Sequence, residues 1–286
     1  MSTPPLESNG PVKSTGPAKG SPGTSTRPGT STETVEQSKA ELHAPTAGRS
    51  WRALLEPLAI IAIGAAWLLY VRTSDLDSIE SRSLGPRYVF RKIWEHIELT
   101  AVSTLLVLVV AVPLGIVLSR RWARHATPLV LVIANIGQSA PAIGVLVLLA
   151  VIWGIGFWTA IVALVAYGVL PALRNTMVGL QQVDPTLVDA GRGIGMSARS
   201  VLWRVEIPLA APVILAGIRT TLVLMVGTAT IAAFISGGGL GDLVTSGVVT
   251  QRTPVLLTGC ILVALLALLI DWLGGIATRL LAPKGL

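Results

Sequence analysis

The chain has 286 residues, of which 52% are hydrophobic and only 13% charged, and its mean hydropathy is +0.70. Soluble domains carry roughly 25% charge, so this composition excludes an ordinary soluble protein and predicts an all-α integral membrane protein whose apolar runs are spans. The net charge of +7 is then expected in loops facing anionic lipid, not in a nucleic-acid surface.

Residues 1–50 are of different material. Seven prolines with many Ser, Thr and Gly leave too few large apolar residues to offset ordering entropy. This predicts a disordered cytoplasmic tail followed by a transmembrane domain over 51–286. The tail lacks a basic-then-apolar opening and cleavage site, so a secretory signal peptide is not expected.

Six apolar runs follow, near 53–71, 97–119, 127–151, 157–174, 211–235 and 254–276. Each is long enough to cross about 30 Å of hydrocarbon at about 1.5 Å per residue. Pro113 and Pro141 fall inside runs, as do Gly115 and Gly144, which neighbouring helices can accommodate. Cys260 lies within the last run as the only cysteine, so it can form neither an internal disulfide nor a cysteine metal site.

Charge sets the expected orientation. Arg49 and Arg52 precede the first run, and Arg120, Arg121 and Arg124 follow the second. Arg174, Arg192, Arg199 and Arg204 lie in or beside the loop after the fourth, and Arg279 and Lys284 close the chain. Six crossings put all of these on one side, which the positive-inside rule makes the cytoplasm, with both termini. The loop over 72–96 resists, because Arg72, Arg82, Arg87, Arg91 and Lys92 then lie outside with Asp75, Asp77, Glu80 and Glu95. Its segment Arg87–Glu98 alternates charge with Tyr88, Val89, Phe90, Ile93, Trp94 and Ile97, which predicts a short interfacial amphipathic helix before the second span.

No catalytic set is present. His43 is in the tail, His96 near the outer interface and His125 in a basic turn; without carboxylate or cysteine partners they are expected to be solvated. No metal-binding or paired-carboxylate pattern occurs, so neither metal nor cofactor is expected and the chain is not predicted to be an enzyme. Gly237-Gly238-Gly239-Leu240-Gly241-Asp242 follows a span instead of a strand and lacks the Lys-Ser/Thr of a phosphate loop. It predicts a tight turn between the fifth and sixth spans. Of the few charges within spans, Glu56, Arg219 and Asp271 map near cytoplasmic ends, and Arg219 is expected to pair with Asp271. No series of intramembrane carboxylates suggests a proton relay.

The polar segment over about 175–210 combines helix starts and breakers. Asp184-Pro185 supplies a capping side chain and a residue suited to the first helical position, predicting a helix from Pro185 through Arg192. Gly191, Gly193 and Gly195 weaken that helix and permit a sharp turn. A second helix is expected from Ser197 to Glu206, with Val201, Leu202 and Val205 on one face, ending before Pro208. Two short helices at a glycine hinge make a knob suited to a groove on a soluble partner.

These residues carry a resemblance. Asp189-Ala190-Gly191, three residues, Gly195, nine residues, then Val205-x-Ile207-Pro208 is similar to the EAA loop of binding-protein-dependent ABC importer permeases. Asp189 stands for Glu, Gly191 for the second Ala, Val205 for Ile and Ile207 for Leu; charge, small size and apolarity are kept. Gln138-Ser139-Ala140-Pro141-Ala142-Ile143, Gly154-Ile155-Gly156-Phe157, Leu170-Pro171-Ala172-Leu173-Arg174-Asn175-Thr176 and Gly238-Gly239-Leu240-Gly241 resemble the osmoprotectant permeases for glycine betaine, carnitine or choline. So do Val183-Asp184-Pro185, Arg192-Gly193-Ile194-Gly195-Met196 and Pro212–Arg219. Together they cover roughly residues 95–275.

The resemblance implies a type I ABC importer permease of about six transmembrane helices in the cell membrane. Its cytoplasmic two-helix coupling loop would dock on an ABC ATPase subunit. A second permease subunit, identical or related, would complete the pathway, and an extracellular or periplasmic solute-binding protein would deliver the solute. The implied mechanism is alternating access driven by ATP hydrolysis on the ATPases, since the chain has no Walker motif. Gln138, Ser139 and Pro141, mid-span with small neighbours, are candidates for the pathway wall, though small residues also serve helix packing. Trp153, Phe157 and Trp158 are read first as an interfacial aromatic belt. Two alternatives stand: an importer of the same class for an amino acid or sulfonate, and a six-span secondary transporter, which leaves the glycine-hinged loop without a role.

Overall fold

The computed structural model describes residues 49–123 and 125–281, with side chains described from 55 to 280 apart from 124. The proline-rich tail, His43, Arg124, Lys284 and the side chains of Arg49 and Arg52 lie outside the described residues. Among the described residues the ordered elements are all helical. They are α1 (Arg49–Thr73), α2 (Ser78–Ser83), α3 (Pro86–Leu118), α4 (Thr127–Ser139), α5 (Ala142–Trp153) and α6 (Phe157–Gln181), followed by α7 (Pro185–Gly193), α8 (Ala198–Val201), α9 (Ile207–Ala229), α10 (Gly241–Val249) and α11 (Thr253–Leu281).

Helix α3 shows how the sequence places a span. Pro86 occupies its first turn, and Lys92, His96, Leu99, Ser103, Val107, Ala111, Gly115 and Leu118 are buried along it. Those positions recur every three or four residues, so they form one stripe facing the other helices. The separate interfacial helix expected over Arg87–Glu98 does not exist; that segment is the start of this 33-residue helix. The physical reason is that no breaker lies between Pro86 and Pro113, so propagation continues through the charged segment.

The third apolar run is also corrected. It is not one straight crossing but two helices, α4 and α5, bent by 94°. Pro141 pushes the preceding residue out of the helical region, and Ala140 is extended with ψ 142°. Helix α3 ends beside Gln181 and Glu206, whereas α6 starts beside Lys92 and Asp242 at the opposite end. The bent pair therefore carries the chain between the two ends, giving six crossings among the described residues.

Helix α6 is central and packs on α3, α4, α5 and α9. Leu99, Val107, Ile161, Leu164, Leu173 and Met225 form the buried centre. In lipid, packing must hold helices together without a water-driven hydrophobic force, and small residues that admit close approach serve that purpose. Gly217 meets Asn175 so closely that an added methyl would sit 2.2 Å from its Cβ. Helix α11 packs antiparallel on α1, with Trp67 donating to Thr258 Oγ1 at 3.1 Å.

Candidate functional site

The hairpin predicted after the fourth span is formed. Asp184 caps α7 by accepting the Thr186 N–H at 2.8 Å, and Pro185 occupies the first turn. That backbone hydrogen bond holds the Asp184 carboxyl below its ordinary value. A carboxyl so lowered stabilises the fold above its ordinary pKa and loses that contribution as pH falls through the lowered value. The cap should therefore weaken on acidification, seen as a lower amide-exchange protection factor at Thr186.

The turn is narrower than the three glycines suggest. Gly191 and Gly193 lie within α7, and only Gly195 adopts positive φ, at 89°. Met196 N–H donates to Gly191 O at 3.1 Å and Gly195 N–H to Arg192 O at 2.9 Å, so two last carbonyls of α7 are satisfied by one left-handed residue. Ser197 then caps α8 through the Ser200 N–H.

Helix α7 lies against α8 through Gly191. A methyl there would meet Val201 Cγ2 at 3.4 Å, Met196 Sδ at 3.5 Å and Val205 Cγ2 at 3.9 Å, ordinary van der Waals distances. Gly191→Ala should therefore fit, stabilise the hairpin by up to about 1 kcal/mol of helix propensity and so raise the melting temperature. A thermal scan of the two proteins in detergent checks this.

The second hairpin helix does not end before Pro208. It passes through a π-helical turn over Leu202–Glu206 into α9, making one helix from Ala198 to Ile235. Proline lacks the N–H that a normal turn would use and its ring crowds the carbonyl four residues back. The wide turn, in which Ile207 N–H donates to Leu202 O, provides the adjustment that lets helix continue. Val205, Ile207 and Pro208 are half-buried at this junction, and Ile207 packs on Leu180, Val183 and Ala210.

Asp189, Ala190 and Gly195 face outward on the hairpin. Beside them Leu187 is 48%, Trp203 59% and Ile194 81% exposed, apolar side chains that no other described residue covers. Asp189, Arg192, Arg199, Arg121 and Trp122 line a groove that also holds Arg120 and Glu206.

The structure adds a contact that spacing did not reveal. Arg120, just past α3, donates through Nη1 and Nη2 to the Glu206 carboxylate at 3.1 and 2.5 Å, and through Nε to Ile116 O at 3.3 Å. Glu206 is buried, so this bidentate pair fastens the π turn to the end of α3. The available signal was a lone carboxylate between Val205 and Ile207, opposite an arginine cluster 86 residues away.

Gln138, Ser139 and Pro141 are not near the hairpin. They lie at the α4–α5 bend, Gln138 half-buried and the other two exposed. Trp153 and Trp158 are also exposed, and Phe157 meets Trp158 edge-on.

The opposite end holds a second polar assembly. His96 is not solvated, as expected from sequence, but buried at 0% exposure. Leu240 N–H donates to its Nδ1 at 3.3 Å, so Nε2 carries the proton and donates to Val226 O at 3.0 Å. Glu95 accepts the Gly239 N–H at 3.1 Å, and Lys92 bridges Glu95 and Asp242 at 2.6 Å each. Ser236, Gly238 and Gly239 have positive φ. The expected tight turn is thus present, but helix α10 follows it before the last span; Gly241 begins a helix instead of ending a loop.

Arg219 and Asp271 do pair, with Nε and Nη2 each 2.5 Å from a carboxylate oxygen. The pair gives each of these two span charges a partner of opposite sign. Arg219→Ala and Asp271→Asn should both lower thermal stability; an unchanged Asp271→Asn protein beside a disrupted Arg219→Ala one refutes the mutual dependence.

Residues 111–284 match the family described as binding-protein-dependent transport system inner membrane component. The choline transport system permease protein OpuBB of Bacillus subtilis (strain 168) is 42% identical over 195 residues, which cover 68% of this chain and 89% of that protein. The glycine betaine/carnitine/choline transport system permease protein OpuCB of the same organism is 40% identical over the same shares. Among solved structures, an inward-facing conformation of the MetNI methionine ABC transporter matches with a TM-score of 0.61 and 26% identity, covering 68% of this chain and 96% of that one.

Proposed function

Because the chain belongs to the family of inner-membrane components of binding-protein-dependent transport systems, we propose that this multi-pass permease subunit imports quaternary-amine osmoprotectants of the glycine betaine, choline and carnitine class. The 42% and 40% identity to choline and betaine permeases supports that class over methionine, whose transporter is 26% identical.

The hairpin carries the mechanistic reading. A capped, close-packed pair of helices presents Leu187, Ile194 and Trp203 to an outside partner. That is the surface an ATPase subunit would cover on its closing stroke, with Asp189, Ala190, Gly191, Gly195, Val205, Ile207 and Pro208 shaping the contact. Arg120, Arg121, Arg174, Arg192, Arg199, Arg204 and Arg279 concentrate at this end, which supports a cytoplasmic hairpin and cytoplasmic termini. The opposite end would receive the loaded solute-binding protein.

A second permease subunit would complete the pathway. The bend at Ala140–Pro141 supports Gln138, Ser139 and Pro141 as wall residues, since irregular backbone within a membrane is tolerated where it lines a cavity. Gln138→Leu should then slow uptake at unchanged expression.

The deciding experiment is reconstitution with the ATPase and binding protein. Betaine, choline, carnitine and proline are screened for stimulated ATP hydrolysis; stimulation by methionine or a sulfonate alone would reject the substrate class. Gly195→Trp should abolish uptake while the permease still inserts in the membrane, because a side chain at φ 89° strains the turn and its bulk crowds the docked face. Uptake that persists without any ATPase would instead identify a secondary transporter.

A further inference from the structure

At the end of the bundle opposite the hairpin, one face of α3 has no helix against it among the described residues. Arg87, Phe90, Arg91 and Trp94 follow each other at spacings of three, one and three residues, so they share that face. Phe90 is 70% and Trp94 60% exposed. With Arg82 of α2, Pro86 and Tyr88 they line an open groove of about 680 Å³ that contains three guanidinium groups and no carboxylate.

Two of the three cations there are not consumed internally. Arg82 and Arg87 form no ion pair among the described residues. The neighbouring carboxylates are engaged: Glu80 with the Asp77 N–H and Arg252, and Glu95 with Lys92 and Gly239. Arg91 approaches Glu95 only at 3.5 Å and otherwise stacks over Tyr88, 5.1 Å from the ring centre.

A second, apolar cavity adjoins this groove. It lies between α1, α3 and α11, has a volume of about 340 Å³, and is lined by Trp67, Leu68, Val89, Ile93, Leu262 and Leu265 among others. Pro86 and Phe90 line both spaces, so the basic groove opens into the greasy cleft. An anionic head and a hydrocarbon tail on one molecule match this pair of surfaces.

From this we infer that the Arg82–Arg87–Arg91 groove and the adjoining cleft bind an anionic phospholipid, phosphate on the guanidinium groups and an acyl chain along Trp67 and Leu265. Arginine forks suit phosphate oxygens, and aromatic side chains with basic residues are at home at headgroup depth.

The test uses the full-length permease in detergent, titrated with phosphatidylglycerol or phosphatidylcholine and read by native mass spectrometry. Wild-type protein should hold phosphatidylglycerol, and the R82Q/R87Q/R91Q variant should bind it at least about tenfold more weakly. R199Q/R204Q/R279Q, which removes three charges elsewhere, should bind it as wild type does. Equal retention of phosphatidylglycerol by the R82Q/R87Q/R91Q and wild-type proteins overturns the site, as does equal retention of phosphatidylcholine by wild type. Displacement of phosphatidylglycerol by excess inorganic phosphate would make it a free-anion site and overturn the lipid assignment.

Discussion

Arg120→Ala should cost about 2–4 kcal/mol of stability, because it strands the buried Glu206 carboxylate without its partner. Glu206→Gln should cost less. Its amide still accepts from the guanidinium, and the Arg120 side chain, 26% exposed, can turn toward solvent. Replacing both residues, as R120M/E206L, should recover most of the stability, since an apolar pair of similar volume avoids desolvating two charges. The informative readout is transport. If the pair fastens the π turn to α3, the double apolar variant should fold well yet show slower uptake per ATP hydrolysed. Full uptake in that variant would reduce the pair to a structural contact. Thermal unfolding in detergent and reconstituted uptake measure the two effects separately.

Gly241→Ala should be the most damaging added methyl among the described glycines. The added carbon would sit 2.1 Å from the Thr230 carbonyl oxygen and 2.8 Å from its carbon. Backbone cannot yield as a flexible side chain does, so α10 must lift away from the end of α9, at about 3 kcal/mol or more. Such a shift would carry Leu240 off His96 and Asp242 off Lys92. Gly227→Ala is the control, because nothing of another element lies within 4 Å of a methyl there; on helix propensity it should be neutral or stabilising by up to about 1 kcal/mol. Expression level and melting temperature should separate the two variants clearly, and a Gly241→Ala protein as stable as wild type would contradict the packing described.

Much of this was legible from residue order. Long apolar runs report length against bilayer thickness, so the spans, the Arg219–Asp271 pair and the Asp184 cap could be anticipated from local chemistry. What hydropathy could not distinguish is a straight run from a bent one: α4 and α5 are both apolar, and only the extended residue before Pro141 separates them. Pro208 was misread in the opposite direction, because a wide turn can absorb a proline that an ordinary turn cannot. His96 was misread because its partners, Leu240 N–H and Val226 O, are backbone groups 144 and 130 residues distant. Backbone partners leave no trace in residue identity. Arg120 and Glu206 shared that difficulty, each plausible alone as a solvated surface charge.

One property of α3 gains meaning from what is fixed at its two extremities. From Lys92 to Leu118 it runs about 39 Å at the usual helical rise, with Pro113 the only proline inside it. At one extremity it grips the glycine turn through Lys92, Glu95 and His96; just past the other, Arg120 grips the hairpin. It is therefore built as a connecting rod with a bearing at each end. If the hairpin moves as proposed for a docked ATPase, tilting this one helix would carry the movement to the glycine turn at the opposite end.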